Sequence, residues 1–307
     1  MVVLLIIITF FAAILHADSG APEKPRWRLS TDATATFAFN SYNESWNNME
    51  SGSLLWTVRS TTLAKKQLKD GLYSENTLKL AFGQIKFADR ESKKWSPPEK
   101  STDLIDMETL LKLKVKSLSA DPFLSLRAVS QFYDTRDPDN YRYANPLTLT
   151  KSFGATKYLF RQPDISWQMR FGGALRLNID RDTIPYEYID GLWESGRRET
   201  SVITDAGLEL VTEFKIKRFD AAHITGKLTI FEALARPYHL QTRGWRHPDV
   251  SFETAVSINI TKHLIVNYMA GLIYDREIDS DPGIRQTLSA GLSLSFENEH
   301  FKKGKRK

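Results

Sequence analysis

The sequence predicts an all-β fold, a transmembrane antiparallel up-and-down β-barrel of about twelve strands. Three observations carry this expectation. Long stretches alternate apolar and polar residues with a period of two; the connections between them are by turns long and short; and the chain opens on an apolar run of export-signal length.

That run, MVVLLIIITFFAAILHA, occupies residues 1–17 and ends in small residues, and the polar DSGAPEKPR follows it at once. It reads as a cleaved signal peptide, because a spanning helix needs about 20 apolar residues. Residues 18–28 then form a periplasmic N-terminal segment, 29–297 the barrel, and 298–307 a basic tail.

Within the barrel, the clearest strand runs from Ser201 to Lys217. Val202, Thr204, Ala206, Leu208, Leu210, Thr212, Phe214 and Ile216 share one face, and Asp205, Gly207, Glu209, Glu213, Lys215 and Lys217 share the other. Ile165 to Asp180 repeats the pattern, with Trp167, Met169, Phe171, Leu175, Leu177 and Ile179 opposed to Gln168, Arg170, Arg176, Asn178 and Asp180. Both exceed the roughly five or six residues usual in a soluble sheet. Further strands are expected over 29–40, 53–63, 73–87, 103–118, 122–132, 151–161, 222–233, 250–261, 263–274 and 284–297.

The connections fix the architecture. KKQLKDG, SADP, RQPD, KRFD and the step from Thr261 to His263 are tight, whereas SYNESWNNMES, ADRESKKWSPPEKST, DTRDPDNYRYANPLTLT, RDTIPYEYIDGLWESGRRE, ALARPYHLQTRGWRHPD and DREIDSDPGI are long. A sandwich has no reason to put all its short hairpins at one end. A barrel with short periplasmic turns and long external loops does so by construction, and an even strand count returns both termini to the periplasm. Lipid then faces the apolar side, with Trp27, Tyr158, Phe160, Trp167, Phe219, Tyr268 and Tyr274 near strand ends as an interfacial girdle.

The last strand contains SAGLSLSF. Ser289, Gly291, Leu294 and Phe296 stand as a polar residue, a glycine and spaced hydrophobics ending in an aromatic, which resembles the insertion signal of bacterial outer-membrane barrels. The resemblance implies the barrel assembly machinery as a partner. The stretches SYNESWNNMESGSLLW, STDLIDMETLLKLKV, YANPLTLTKSFGATKYLF and ISWQMRFGGALRL together resemble an uncharacterised, porin-like outer-membrane barrel family of Gram-negative bacteria. That resemblance implies a fold and an outer-membrane location, with the bilayer and its outer-leaflet lipid as surroundings, and it implies no activity.

Candidate functional residues lie on the inward faces. Pairing the strands across the 181–200 loop sets Arg170 near Glu209 and Glu213, Arg176 near Asp205 and Glu209, and Lys227 near Glu213, a ladder of alternating charge. Lys79, Lys112, Lys114, Lys116 and Arg127 form a second, basic sector. Two readings stay open: ion pairs that fill and stiffen a narrow interior, or a transverse field across a water-filled lumen that favours anions.

Other chemistries find less in the sequence. There is no Cys, which excludes disulfides and thiolate metal sites. The net charge of +5 owes much to the terminal KKGKRK, and no nucleic-acid-binding pattern accompanies it, so no nucleic acid partner is expected. His223, His239, His247, His263 and His300 fall in no HExxH or GxSxG context. His247 with Ser251 is the one pair that could serve a hydrolase. Asp134, Asp137 and Asp139, and Asp275, Glu277, Asp279 and Asp281, make acidic loops without EF-hand spacing. No cofactor and no metal are expected. The function expected is a passive channel for small polar or anionic solutes, or a structural barrel; the alternatives are a surface-loop receptor or adhesin and an outer-leaflet lipid-modifying enzyme.

Overall fold

A computed structural model describes residues 27–40, 52–89, 94–136, 142–183, 187–189, 192–194, 198–218, 221–237, 244–261, 263–277 and 279–297. The signal peptide expected over 1–17, nearly all of the segment 18–28, and the basic tail 298–307 lie outside them.

Alternation with a period of two produces strands throughout. In chain order they are β1 (Arg28–Asn40), β2 (Ser53–Lys69), β3 (Leu72–Phe87), β4 (Glu99–Leu113), β5 (Asp121–Ser130), the short β6 (Tyr133–Asp134) and β7 (Arg142–Tyr143), β8 (Leu147–Arg161) and β9 (Ile165–Thr183). The short β10 (Glu187–Ile189) and β11 (Leu192–Glu194) follow, then β12 (Arg198–Arg218), β13 (Ala222–Ala235), β14 (Asp249–Asn259), β15 (Leu264–Tyr274) and β16 (Gly283–Glu297). β6 with β7 and β10 with β11 are small hairpins within long loops. The other twelve strands close one antiparallel barrel in sequence order, and β16 returns to pair with β1. The chain is a transmembrane antiparallel β-barrel of twelve strands, as its sequence predicts.

The exterior explains why closure is required. Phe37, Phe39, Phe153, Phe171, Leu208, Ile284, Leu288, Leu292 and Leu294 all point away from the lumen, from 39% exposed at Leu208 to 72% at Leu288. Such a surface is stable against hydrocarbon, where every backbone N–H and C=O must be paired within the sheet. Polar groups that the pleat turns outward on β1 to β4 satisfy one another: the Thr31 and Thr62 hydroxyls meet at 3.2 Å, Thr109 Oγ1 donates to Asn76 Oδ1 at 2.9 Å, and Asn76 Nδ2 donates to Ser74 Oγ at 3.1 Å. Beside the 162–164 turn, Phe160 and Trp167 stack with centroids 6.0 Å apart, an aromatic pair at the strand ends. Tyr158 departs from the expected girdle. Its ring takes Lys112 Nζ at 5.6 Å and Arg161 at 5.0 Å, on the lumenal side. Phe219 lies outside the described residues.

The seam is closed by the terminal strand. β16 pairs with β1 from Ser30↔Glu297 to Thr36↔Gly291. A Cβ added at Gly291 would meet the Thr36 Cα at 2.7 Å and collide with the Ala35 carbonyl, so glycine permits the close approach of the two strands here. Ser289 faces inward, and Leu292 and Leu294 face lipid. The Phe296 side chain lies outside the description.

One strand end differs from expectation in a way that matters for the site. β4 stops at Leu113 rather than running to 118. Asp121 Oδ1 accepts the Val115 N–H at 3.3 Å, and the Leu118 N–H reaches the Val115 carbonyl at 3.1 Å, which turns the chain early. Lys114 and Lys116 are therefore exposed turn residues and do not line the lumen.

Candidate functional site in the barrel lumen

β4, β9, β12 and β13 each send charged side chains inward at mid-height. Glu108 on β4 is the centre of this group. Arg170 Nη1 on β9 donates to Glu108 Oε1 at 2.5 Å, and Lys227 Nζ on β13 reaches Glu108 Oε2 at 3.3 Å. Glu213 on β12 completes the cluster, 3.4 Å from Lys227 Nζ and 3.7 Å from Arg170 Nη2. β4 and β13 are five strands apart in the circle of twelve, so this is a bridge across the lumen and not a contact along one wall. Beside it Arg127 makes a forked pair with Asp106, at 2.9 Å through Nε and 3.0 Å through Nη2.

Each mouth has its own ionic group. Toward the short turns, Glu75 sits between Lys65 at 2.9 Å and Lys112 at 3.0 Å. Toward the long loops, Arg176 pairs with Asp249 at 2.5 Å and lies 3.8 Å from the Phe231 ring centroid. Arg236 forks onto Asp205 and also pairs with Glu277, tying the loop after β13 to β12 and to the loop after β15. Its hydrogen bonds to Asp205 and then Glu277 raise it above the ordinary guanidinium range. Asp134 anchors the loop between β5 and β8: Arg136 and Arg142 both pair with it at 3.0 Å, and Asn145 Nδ2 donates to it at 2.8 Å. Burial pushes its carboxyl up, but the hydrogen bonds from Arg136 and Asn145 and the charge of Arg136 outweigh this and hold it at about 2. Arg136 carries the tie onward to Asp180 of β9 at 2.6 Å.

The inward ladder expected from sequence is rearranged. Arg170 and Lys227 do reach Glu213, and Arg176 does lie opposite Asp205 in register. The carboxylate pairs nonetheless differ: Arg176 takes Asp249, Asp205 takes Arg236, and Glu209 accepts a hydrogen bond from Ser152 at 2.5 Å. In the basic sector, Lys112 and Arg127 are matched by Glu75 and Asp106, and Lys79 stands within electrostatic range of Asp106. The residues that sequence reasoning missed are Asp106, Glu108, Arg236 and Asp249. The inward parity of Glu108, opposite Arg127 on the next strand, was available as a clue.

The lumen has two unlike walls. From β8 to β13 the inward side chains are packed: Ser152, Thr156, Arg170, Ala174, Asp205 and Phe231 are all buried, and Trp245 closes over Ala174, Phe231 and Ala233. From β14 round to β3 the inward positions are mostly small and polar, including Ser251, Thr287, Ser289, Ser293, Thr34, Thr36 and Thr61. On that side Glu253, Arg285, Asp32 and Thr61 are exposed within the barrel. Arg59, Lys79 and Arg285 there, and Lys215 opposite, form no ion pair among the described residues.

The hydrolytic pair has no support in the geometry. Both His247 ring nitrogens are engaged elsewhere, Nδ1 with the Gly244 carbonyl at 3.1 Å and Nε2 with Arg276 Nη1 at 2.6 Å. Among the acidic loop residues, Asp134 and Glu277 are taken by arginines, Asp275 and Asp279 accept backbone N–H groups, and Asp137 and Asp139 lie outside the described residues. Among the described residues no group of three metal-ligating side chains converges.

No protein-family model matches the chain, and no curated protein is similar to it in sequence. Among solved structures, it is similar to an outer-membrane channel from Pseudomonas putida F1 at 10% identity and a TM-score of 0.41, over 92% of this chain and 98% of that one. It is also similar to the translocator domain of the autotransporter NalP from Neisseria meningitidis, at 11% identity and a TM-score of 0.36, over 94% and 92% of the two chains. The OprB structure from Pseudomonas putida follows at 8% identity and 0.30, over 89% and 94%. The likeness is one of barrel form alone.

Proposed function

We propose that this chain is a passive outer-membrane channel for small polar or anionic solutes, with its path along the β14-to-β3 wall. The observation that carries this reading is the asymmetry of the lumen. The wall from β8 to β13 is packed, while the opposite wall carries exposed, small, polar positions and cations that form no ion pair among the described residues. Rows of uncompensated charge beside water are how pores select among ions, and cations favour anions. The Glu108 bridge is the constriction. It narrows the path to small solutes, and because its members are salt-bridged to one another, its net field is weak.

A second reading, a structural barrel closed at mid-height, draws support from that same bridge. Conductance of the purified, refolded chain in planar bilayers separates the two. A channel gives discrete steps whose reversal potential in a potassium chloride gradient lies toward chloride, and Glu108→Ala enlarges the steps. Absence of steps from both proteins at every voltage would establish the closed barrel instead.

A further inference from the structure

On the open wall, two inward arginines lie within electrostatic range of one another. Arg59 faces inward from β2, opposite Thr34 and Ala81. Arg285 faces inward from β16, opposite Gly271, and extends to β4, where Nη2 donates to Thr102 Oγ1 at 2.6 Å and to the Ser101 carbonyl at 3.4 Å. The charged groups that face Arg59 are Arg285, of like sign, and Glu253 on β14. Two cations within electrostatic range, with one exposed carboxylate for both, are poorly compensated.

Hydroxyl donors surround the same place. Ser101 Oγ is buried and has no hydrogen-bond partner among the described residues. Gly83 lets the two hydroxyls come close together: a Cβ there would stand 2.6 Å from Thr57 Oγ1, 2.7 Å from the Trp56 carbonyl oxygen and 3.1 Å from Ser101 Oγ. Thr102 accepts from Arg285, so its own hydroxyl hydrogen remains available. Guanidinium and hydroxyl groups thus converge with an excess of donors over acceptors, an arrangement that a bound oxyanion completes.

We propose that Arg59 and Arg285, with the hydroxyls of Ser101, Thr57 and Thr102, form a lumenal oxyanion subsite that takes the carboxylate of a small organic acid. The inference deepens the channel reading by naming its solute class, and rests on it for the direction of transport only. Two guanidinium charges against Glu253 leave one net positive charge, which matches a monoanionic carboxylate better than a phosphate dianion. The forked geometry of arginine suits the two coplanar oxygens of a carboxylate.

Binding is measured without conduction, on the full refolded chain in detergent, from the line broadening of isotope-labelled acetate at constant ionic strength. Heat-modifiable gel mobility confirms that each variant is assembled. Arg59→Gln and Arg285→Gln should each weaken acetate binding about tenfold, as loss of one charge-assisted bond does, and Arg59→Lys should fall between them and the parent. Lys215→Gln removes an equal charge outside the subsite and should change affinity less than about twofold. Equal losses in Lys215→Gln and Arg59→Gln would reduce the effect to a general field and overturn the subsite. Absence of saturable acetate binding in the parent protein would overturn it too, and tighter binding of inorganic phosphate than of acetate would overturn the carboxylate assignment. A parent protein that binds acetate yet never conducts would keep the subsite and remove the channel.

Discussion

The two walls of the lumen are built from the same kind of strand and differ in what their inward charges meet. Between β4 and β13, Glu108, Arg170, Glu213 and Lys227 neutralise one another across the barrel, and Arg127 and Asp106 do so along it. Between β14 and β3, Arg59 and Arg285 both point inward among small residues and lie within electrostatic range of one another and of the exposed Glu253. On the channel reading, stability and selectivity are thereby separated in space. Buried ions must be paired to be tolerated at all, whereas ions beside water can stay uncompensated and act on solutes.

The sharpest way to break this comparison is to remove one carboxylate from each wall. Glu108→Ala leaves two buried cations, Arg170 and Lys227, with Glu213 alone between them, and should cost about 3 kcal/mol. Glu253→Ala, at an exposed position, should stay within about 0.5 kcal/mol of the parent. Reversible urea unfolding in lipid vesicles measures both. Comparable losses would mean that the two walls do the same work.

An effect of similar size separates lumen from lipid at adjacent residues. Leu208→Arg places a charge in hydrocarbon, at about 2 to 4 kcal/mol near the midplane, and should reduce the heat-modifiable fraction in the membrane. Glu209→Gln keeps the hydrogen bond that Ser152 donates, because an amide oxygen also accepts, and should leave assembly unchanged while moving ion preference toward anions. Recovery of the untreated protein in the aqueous fraction without detergent would remove the membrane assignment itself.

The smallest effect concerns the rim. Asp134 titrates at about 2 in the folded protein, below its ordinary range, so its share of loop stability is fully present above about pH 4. That share is lost as pH falls from there through 2. Hydrogen exchange in residues 131–136 and 142–146 should therefore be flat from pH 7 to about pH 4, after correction for intrinsic rates, and quicken below it. Asp134→Asn should exchange faster across the whole range. An onset near neutral pH in the parent would assign the loop to another titrating group.

How far the site was legible follows from these same residues. The inward parity of Arg170, Glu213 and Lys227 is readable because a strand alternates its side chains whatever surrounds it. Lys114 and Lys116 continue that parity on paper, yet Asp121 captures the Val115 N–H and ends β4 before them. Local polar capture of this kind leaves no mark in hydrophobic periodicity.

Twelve strands, the sidedness of the loops and the lipid-facing row from Val202 to Ile216 were determined by the sequence alone, since each depends on residues close together in the chain or on a period of two. Only the tertiary structure decided that Glu108 meets Arg170, 62 residues on, and Lys227, 119 residues on, or that Arg176 chooses Asp249 over Asp205. Those partners face each other because strand tilt and register stagger fix which heights coincide across the lumen, and both are properties of the closed barrel rather than of any strand within it.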